Sequence, residues 1–198
     1  MKRRVMVGYD DASPAVQALY DDVLATLGAT ELPNWLMALG TNEHVLRGAW
    51  TNYKSVVLTG NVPPLLKQLI LFVISINRGN RYCTASHGYA ALSLDPTLSC
   101  DDLYSLAQGR AYAALPAAFK AALETVTAIA LNPQAAESGE IKLEERLREA
   151  GFGNREIDEL MAQAELGLMM NTIMSIWEIP PEKELPPPSP AVAAASVA

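Results

Sequence analysis

The stretch Lys67–Ala91, KQLILFVISINRGNRYCTASHGYAA, decides how this chain folds. Its first half is apolar nearly all round, and Pro63-Pro64 just upstream suits the first position of a helix. The pattern predicts a helix over about residues 65–77 that is buried on every side. Gly79 ends it, Asn80 can cap the next segment, and a second helix runs over about residues 81–94 until Pro96 stops it. On that second helix Asn80, Cys83 and His87 are spaced i, i+3, i+7 and share one face.

With Asn80 as N-cap, Cys83 falls in the first turn, where the helix dipole and unpaired N–H groups favour a thiolate. Arg78 and Arg81 add positive charge nearby, and His87, one turn on, can take the thiol proton. These effects lower the thiol pKa and burial raises it, so spacing alone leaves the outcome open. The plainer reading is a small buried hydrophobe with an imidazole neighbour.

Outward from this core the period remains helical. Ser13-Pro14 reads as a helix start, and Val16, Leu19, Tyr20, Val23 and Leu27 recur at helical spacing up to Gly28. Further helices are expected around residues 35–39, 43–58, 116–131, 141–150 and 156–176, with a short one from Asp101. No strand hairpin and no repeat stands out, so the fold class is all-α. Residues 1–179 read as one helical domain with its centre at about 42–95. Residues 180–198 are Pro-rich, then Ala-rich, and read as a disordered or loosely draped tail.

Composition narrows the function. The 198 residues are 50% hydrophobic and carry a formal net charge of -7, which argues against nucleic acid or an anionic membrane as partner. The apolar run at residues 69–76 is far short of the about 20 residues that span a bilayer. The basic start is too short and too soon acidic for a signal peptide, so a cytoplasmic location is expected. His44 and His87 are the only histidines and Cys83 and Cys100 the only cysteines, too few for a structural zinc site; no metal or nucleotide cofactor is expected.

Charge is unevenly spread. Residues 44–94 hold Arg47, Lys54, Lys67, Arg78 and Arg81 but no Asp or Glu. This reads either as an anion-favouring site or, with more weight, as core whose bases pair with acids from elsewhere. His44 reads as a solvated helix start. Trp35, Trp50, Tyr53 and Trp177 read as core or subunit contact rather than as a substrate box. The acid-rich stretch 137–165 reads as a solvated face.

The quoted stretch resembles the alkylhydroperoxidase D and carboxymuconolactone decarboxylase family, especially its peroxidase-related members. That family's redox motif places Glu, Cys, Cys and His at the register held here by Gln68, Asn80, Cys83 and His87, and Tyr82 matches a frequent residue before the second cysteine. The likeness spreads more loosely over residues 14–182 and includes MMNTIMSIWEIP, Met169–Pro180. It implies a helical bundle assembled as a trimer or hexamer. Two departures bear on mechanism. Asn80 rules out a disulfide within the motif, and Gln68 cannot carry a proton as a glutamate does. Cys83 and His87 remain. Cys100 lies beyond Pro96 and reads as a semi-buried cysteine at a helix start rather than a resolving thiol.

Three functions follow from the resemblance. The first is reduction of alkyl hydroperoxides through the single thiol of Cys83, with an external thiol as reductant. The second is a helical oligomer that kept the fold and lost turnover. The third is a non-redox decarboxylase-like enzyme acting on a small anionic acid or lactone through His87.

Overall fold

The computed structural model describes residues 4–110 and 115–194, and among them there is helix but no strand. Helix α1 (Pro14–Leu27) starts as the sequence indicates: Ser13 caps the Val16 N–H, Pro14 takes the first position, and Gly28 closes the helix in the left-handed region at φ 60°. Helix α2 (Asn34–Leu39) and α3 (Glu43–Tyr53) follow, the latter capped by the Asn42 side chain on the N–H groups of His44 and Val45. His44 is exposed there, as its position at a helix start indicates.

Residues 54–58 do not continue α3 as α-helix. They form a π-helical turn, Lys54–Leu58. Helix α4 (Pro64–Asn77) is the central rod, with every residue from Leu66 to Ser75 buried. Gly79, at φ 66°, turns the chain, and α5 (Arg81–Leu94) begins at once with Asn80 as its N-cap. Then come α6 (Cys100–Ala107), α7 (Ala117–Leu131), a single turn α8 (Gln134–Glu137), α9 (Leu143–Glu149), the long α10 (Asn154–Ile176) and a short α11 (Pro190–Ala194).

Helix α4 packs on α5, α6, α7 and α10, while α1 and α2 pack on α3. Two apolar clusters result. One gathers α4, α6, α7, α9 and the first half of α10; the other gathers α1–α3 with Leu71, Tyr82, Cys83, Leu166 and Met170. Helix α10 crosses close to α4 because residue 167 is glycine: a Cβ there would sit 2.9 Å from the Leu71 Cδ2.

The C-terminal stretch corrects the expectation of an unpacked tail. Residues 180–189 form a strap across α5 and α6. Asn34 Nδ2 donates to the Pro180 carbonyl, Tyr89 Oη to that of Glu184, Tyr104 Oη to that of Pro186, and the Ser189 N–H donates to Asp101 Oδ1. Leu185 lies over Gly88, where a Cβ would meet it at 2.8 Å. The strap holds because aromatic hydroxyls of the body satisfy its proline-rich backbone, a pairing that composition does not reveal. Residues 195–198 lie outside the described residues.

Four of the five bases of residues 44–94, Arg47, Lys54, Lys67 and Arg81, pair with acids from outside that segment. Arg47 meets Glu43, Lys54 meets Asp22 at 2.5 Å, and Arg81 meets Glu184. Lys67 is the unusual one, being 1% exposed on α4. Its ammonium donates to the carbonyls of Val56 and Thr59, at the end of the π-turn, and lies 3.5 Å from Glu159 Oε2 on α10. Glu159 also accepts from the N–H groups of Asn61 and Val62, so one ion pair ties α4, α10 and the π-turn together. Removing one partner of a buried pair strands the other polar groups. Lys67→Met should therefore cost about 3 kcal/mol of unfolding free energy in urea titrations. A loss under about 0.5 kcal/mol, the range of an ordinary surface change, would contradict this role.

Candidate functional site

The site is built on the first two turns of α5. Asn80 Oδ1 accepts the Cys83 N–H at 2.8 Å, which starts the helix and sets Cys83 in its first turn. The other end of the same amide donates to the Asn171 carbonyl (2.8 Å) and to Ser175 Oγ (2.9 Å) on α10. Asn80 is thus a cap and a cross-link at once, and both ends of its side chain are engaged.

Cys83, 2% exposed, and His87, 9% exposed, both face a cavity of about 40 Å³. That is space for one or two water-sized groups. Trp35, Tyr53 and Tyr82 form its aromatic walls; Leu71, Leu166 and Met170 form its apolar floor; Ser86 completes it. Trp35 and Tyr53 lie with ring centroids 5.6 Å apart, and Tyr53 stacks in turn on Trp50. The sequence reading places these aromatics in the core. Trp35 and Trp50 are in the core and Tyr53 packs against it, and Trp35 and Tyr53 in addition line the chamber of the thiol. Nothing in their local spacing distinguishes wall from core, because the cavity forms only when α2, α3 and α5 converge.

Burial decides the protonation of both groups. It pushes the Cys83 thiol up to about 12, against which the neighbouring Ser75 hydroxyl pulls down. It pushes the His87 imidazole down to about 4. At neutral pH the site therefore holds a thiol and a neutral imidazole, and desolvation outweighs the helix-start effect that the sequence suggests. His87 Nδ1 lies 2.9 Å from Gln68 Oε1. With the amide in this orientation Nδ1–H is the donor, and Nε2 keeps its lone pair.

The remaining candidates fall apart from this centre. Tyr82 lines the cavity and donates its hydroxyl to Glu182 Oε1 at 2.8 Å. Arg81 points outward to Glu184, and Arg78 is exposed just past α4; neither lines the cavity. Neither stands against Cys83 as its place in the sequence suggests: Arg78 closes α4, and Arg81 is engaged by Glu184. Cys100 opens α6 as a half-buried free thiol. Among the described residues no group of His, Cys, Asp and Glu is arranged to hold a metal, and no helix is long and apolar enough to cross a membrane.

The neutral imidazole has a measurable consequence. The unfolded chain takes up a proton on His87 near pH 6.5, the folded chain only near 4. Between those values the unfolded state binds more protons, so the His87 contribution is complete above about pH 6.5 and is lost as pH falls towards 4. The loss should amount to about 3 kcal/mol across the window. Urea unfolding of the wild type and of His87→Gln over this range should diverge by that amount; parallel profiles would mean that His87 is not held neutral.

No protein-family model matches the sequence, and no curated protein matches it. Solved structures do. A peroxidase-related protein from Silicibacter sp. TM1040 is 24% identical, with 91% of this chain and 92% of that chain covered and a TM-score of 0.71. An alkylhydroperoxidase AhpD core protein, peroxidase-related, from Ralstonia eutropha JMP134 is 17% identical over 91% and 92%, with a TM-score of 0.75. The debrominase Bmp8 is 18% identical over 100% and 97%, with a TM-score of 0.72, and a cysteine-to-alanine variant of Bmp8 is also known in complex with 2,3,4-tribromopyrrole. In each case nearly the whole of both chains is covered, and the chain has the all-α fold of the alkylhydroperoxidase D core.

Proposed function

We propose that this protein is a reductase that works through one thiol, with Cys83 as nucleophile and His87 as the proton carrier. The observation that carries the reading is that thiol and imidazole, both uncharged, share one apolar chamber from which water is largely excluded. The substrate class that fits first is an uncharged organic hydroperoxide. Cys83 Sγ attacks the distal oxygen, the O–O bond breaks, and the thiol proton passes by way of His87 Nε2 to the leaving alkoxide, which departs as an alcohol. Cys83 becomes a sulfenic acid. One external thiol condenses with it to a mixed disulfide and releases water; a second restores Cys83 and leaves as the external disulfide. Asn80 cannot resolve the intermediate, so the reductant must come from outside the motif.

A second reading has support of its own. The chamber walls are aromatic, and the debrominase Bmp8 shares the fold; the cysteine removed in its tribromopyrrole complex has a chain number one below that of Cys83. On that reading Cys83 takes bromine from an uncharged bromoarene. The C–Br bond breaks, the ring carbon gains the thiol proton, one external thiol displaces bromide from the S–Br species to give a mixed disulfide, and a second restores Cys83 and leaves as the external disulfide. Both readings demand an uncharged substrate. The decarboxylase-like alternative needs a cation to hold an anionic acid, and the cavity walls carry no Lys or Arg, only His87, which burial keeps neutral.

Turnover of cumene hydroperoxide and of a bromopyrrole, each with dithiothreitol as reductant, separates the readings. Cys83→Ser should abolish the accepted reaction, His87→Gln should slow it by about 10²-fold, and Cys100→Ser should leave it intact. Bromide release without peroxide consumption would select the second reading. Turnover of neither, with soundly folded protein, would leave a helical protein that has lost the chemistry. Gln68→Glu supplies a further check. A carboxylate on Nδ1 favours the imidazolium, so the alkylation rate of Cys83 near neutral pH should rise about tenfold. An unchanged rate would mean that His87 and Cys83 are not coupled.

A further inference from the structure

The chamber of Cys83 is not isolated. Its walls Trp35, Tyr53, Tyr82 and Ser86 are also the inner walls of a cleft of about 220 Å³ that faces outward. That cleft is bounded by Leu27 and the loop 31–33 on one side and by Glu182 of the strap on the other. A wider depression of about 570 Å³ continues it to the surface and again includes Glu31 and Glu182. Each space shares lining residues with the next, and their volumes fall from about 570 to about 220 to about 40 Å³ towards the thiol, in the order of a funnel. Among the described residues that line it, Glu31 and Glu182 are the ones charged at neutral pH, and both are exposed. Glu182 is held in place: its Oε1 accepts the Tyr82 hydroxyl at 2.8 Å and the Asn34 N–H at 2.7 Å, which brings the strap against α2 and α5.

We propose that substrates reach Cys83 through this funnel between the 31–33 loop and the C-terminal strap, and that Glu31 and Glu182 at its mouth make it select uncharged, apolar molecules and turn anions away. Two physical barriers act in series. The carboxylates raise a negative potential where a molecule must enter, and fixed charge at a cleft mouth alters arrival rates by about tenfold or more. The aromatic neck then removes solvent, and a charged group cannot follow without losing its hydration. The inference rests on the single-thiol reading for its relevance to substrate. Its test does not, because chemical modification of Cys83 needs no turnover.

The experiment compares neutral iodoacetamide with anionic iodoacetate on Cys83 in a Cys100→Ser background, each rate divided by that for the same thiol in the urea-unfolded chain. Both reagents meet one thiolate, so its pKa cancels from the ratio. The folded protein should disfavour iodoacetate about tenfold or more. Raising ionic strength from about 0.01 M to about 1 M should recover at least threefold of that loss without changing the iodoacetamide rate, since salt screens exposed charges. Glu31→Gln and Glu182→Gln together should recover a similar share at low salt; Glu31→Gln alone, which leaves the strap contacts in place, should recover part of it. A folded-to-unfolded ratio near one for iodoacetate, or a deficit that responds to neither salt nor the glutamine substitutions, overturns the proposal. Absence of peroxide or bromoarene turnover would count against the single-thiol reading and leave these ratios as they are.

Discussion

One ammonium group, that of Lys67, sets much of this architecture. A lysine 1% exposed on the most apolar helix of the chain survives only because three acceptors meet it. Two of them are carbonyls freed by the π-turn at Lys54–Leu58, and the third is Glu159 of α10. The turn sets how α3 ends, and α3 carries Trp50 and Tyr53, whose stacked rings back one wall of the thiol chamber. The next residue along α4 is Gln68, which holds His87. The same rod that buries the charge therefore orients the imidazole, and any shift of α4 relative to α10 would move both.

A second set of polar contacts fixes the other end of the site. Ser75 donates to the Leu71 carbonyl, receives Asn171 Nδ2, and also contacts the Cys83 sulfur. Asn80 spans from the Cys83 N–H to α10. The thiol is thereby held by α4, α5 and α10 together, in a matrix whose neutral hydrogen bonds cost no buried charge. Rigidity of this kind suits a nucleophile that must meet a small substrate at one angle.

Sequence made the helices and the site's register legible because those features are local. Ser13 and Asn80 cap their helices through side chains that reach only three residues on, and Cys83 and His87 lie one turn apart by helical period alone. The features that escaped are those made by distant partners. Residues 54–58 have helical composition, and nothing local marks them as a π-turn; the Lys67 ammonium that takes the Val56 and Thr59 carbonyls comes from α4. Trp35 and Tyr53 do belong with the core, but that they also line a cavity depends on the gap α5 leaves beside them. The strap at 180–189 has no apolar period, and its anchors are Asn34, Tyr82, Tyr89 and Tyr104, scattered over 70 residues of sequence. Arg78 and Arg81 are near Cys83 in sequence and face away from it in space.

The two departures from the resembled motif are best understood as one. A glutamate at position 68 would place a carboxylate on the imidazole, stabilise its charged form, and so supply a counter-ion for a resting thiolate. Glutamine keeps the hydrogen bond and removes the charge. Without that carboxylate a buried imidazole stays neutral, and without an imidazolium a buried thiolate has no partner, which is the state that burial imposes on His87 and Cys83. Asparagine at position 80 completes the pattern by replacing a second ionisable thiol with a neutral cap. Each change makes the others less costly, because an apolar chamber tolerates either a matched set of charges or none. The site has none at neutral pH. In the proposed reaction the chemistry then begins from a thiol rather than a thiolate, with proton and electron pair leaving sulfur together once a substrate is seated, which favours substrates whose leaving atom itself takes up the proton.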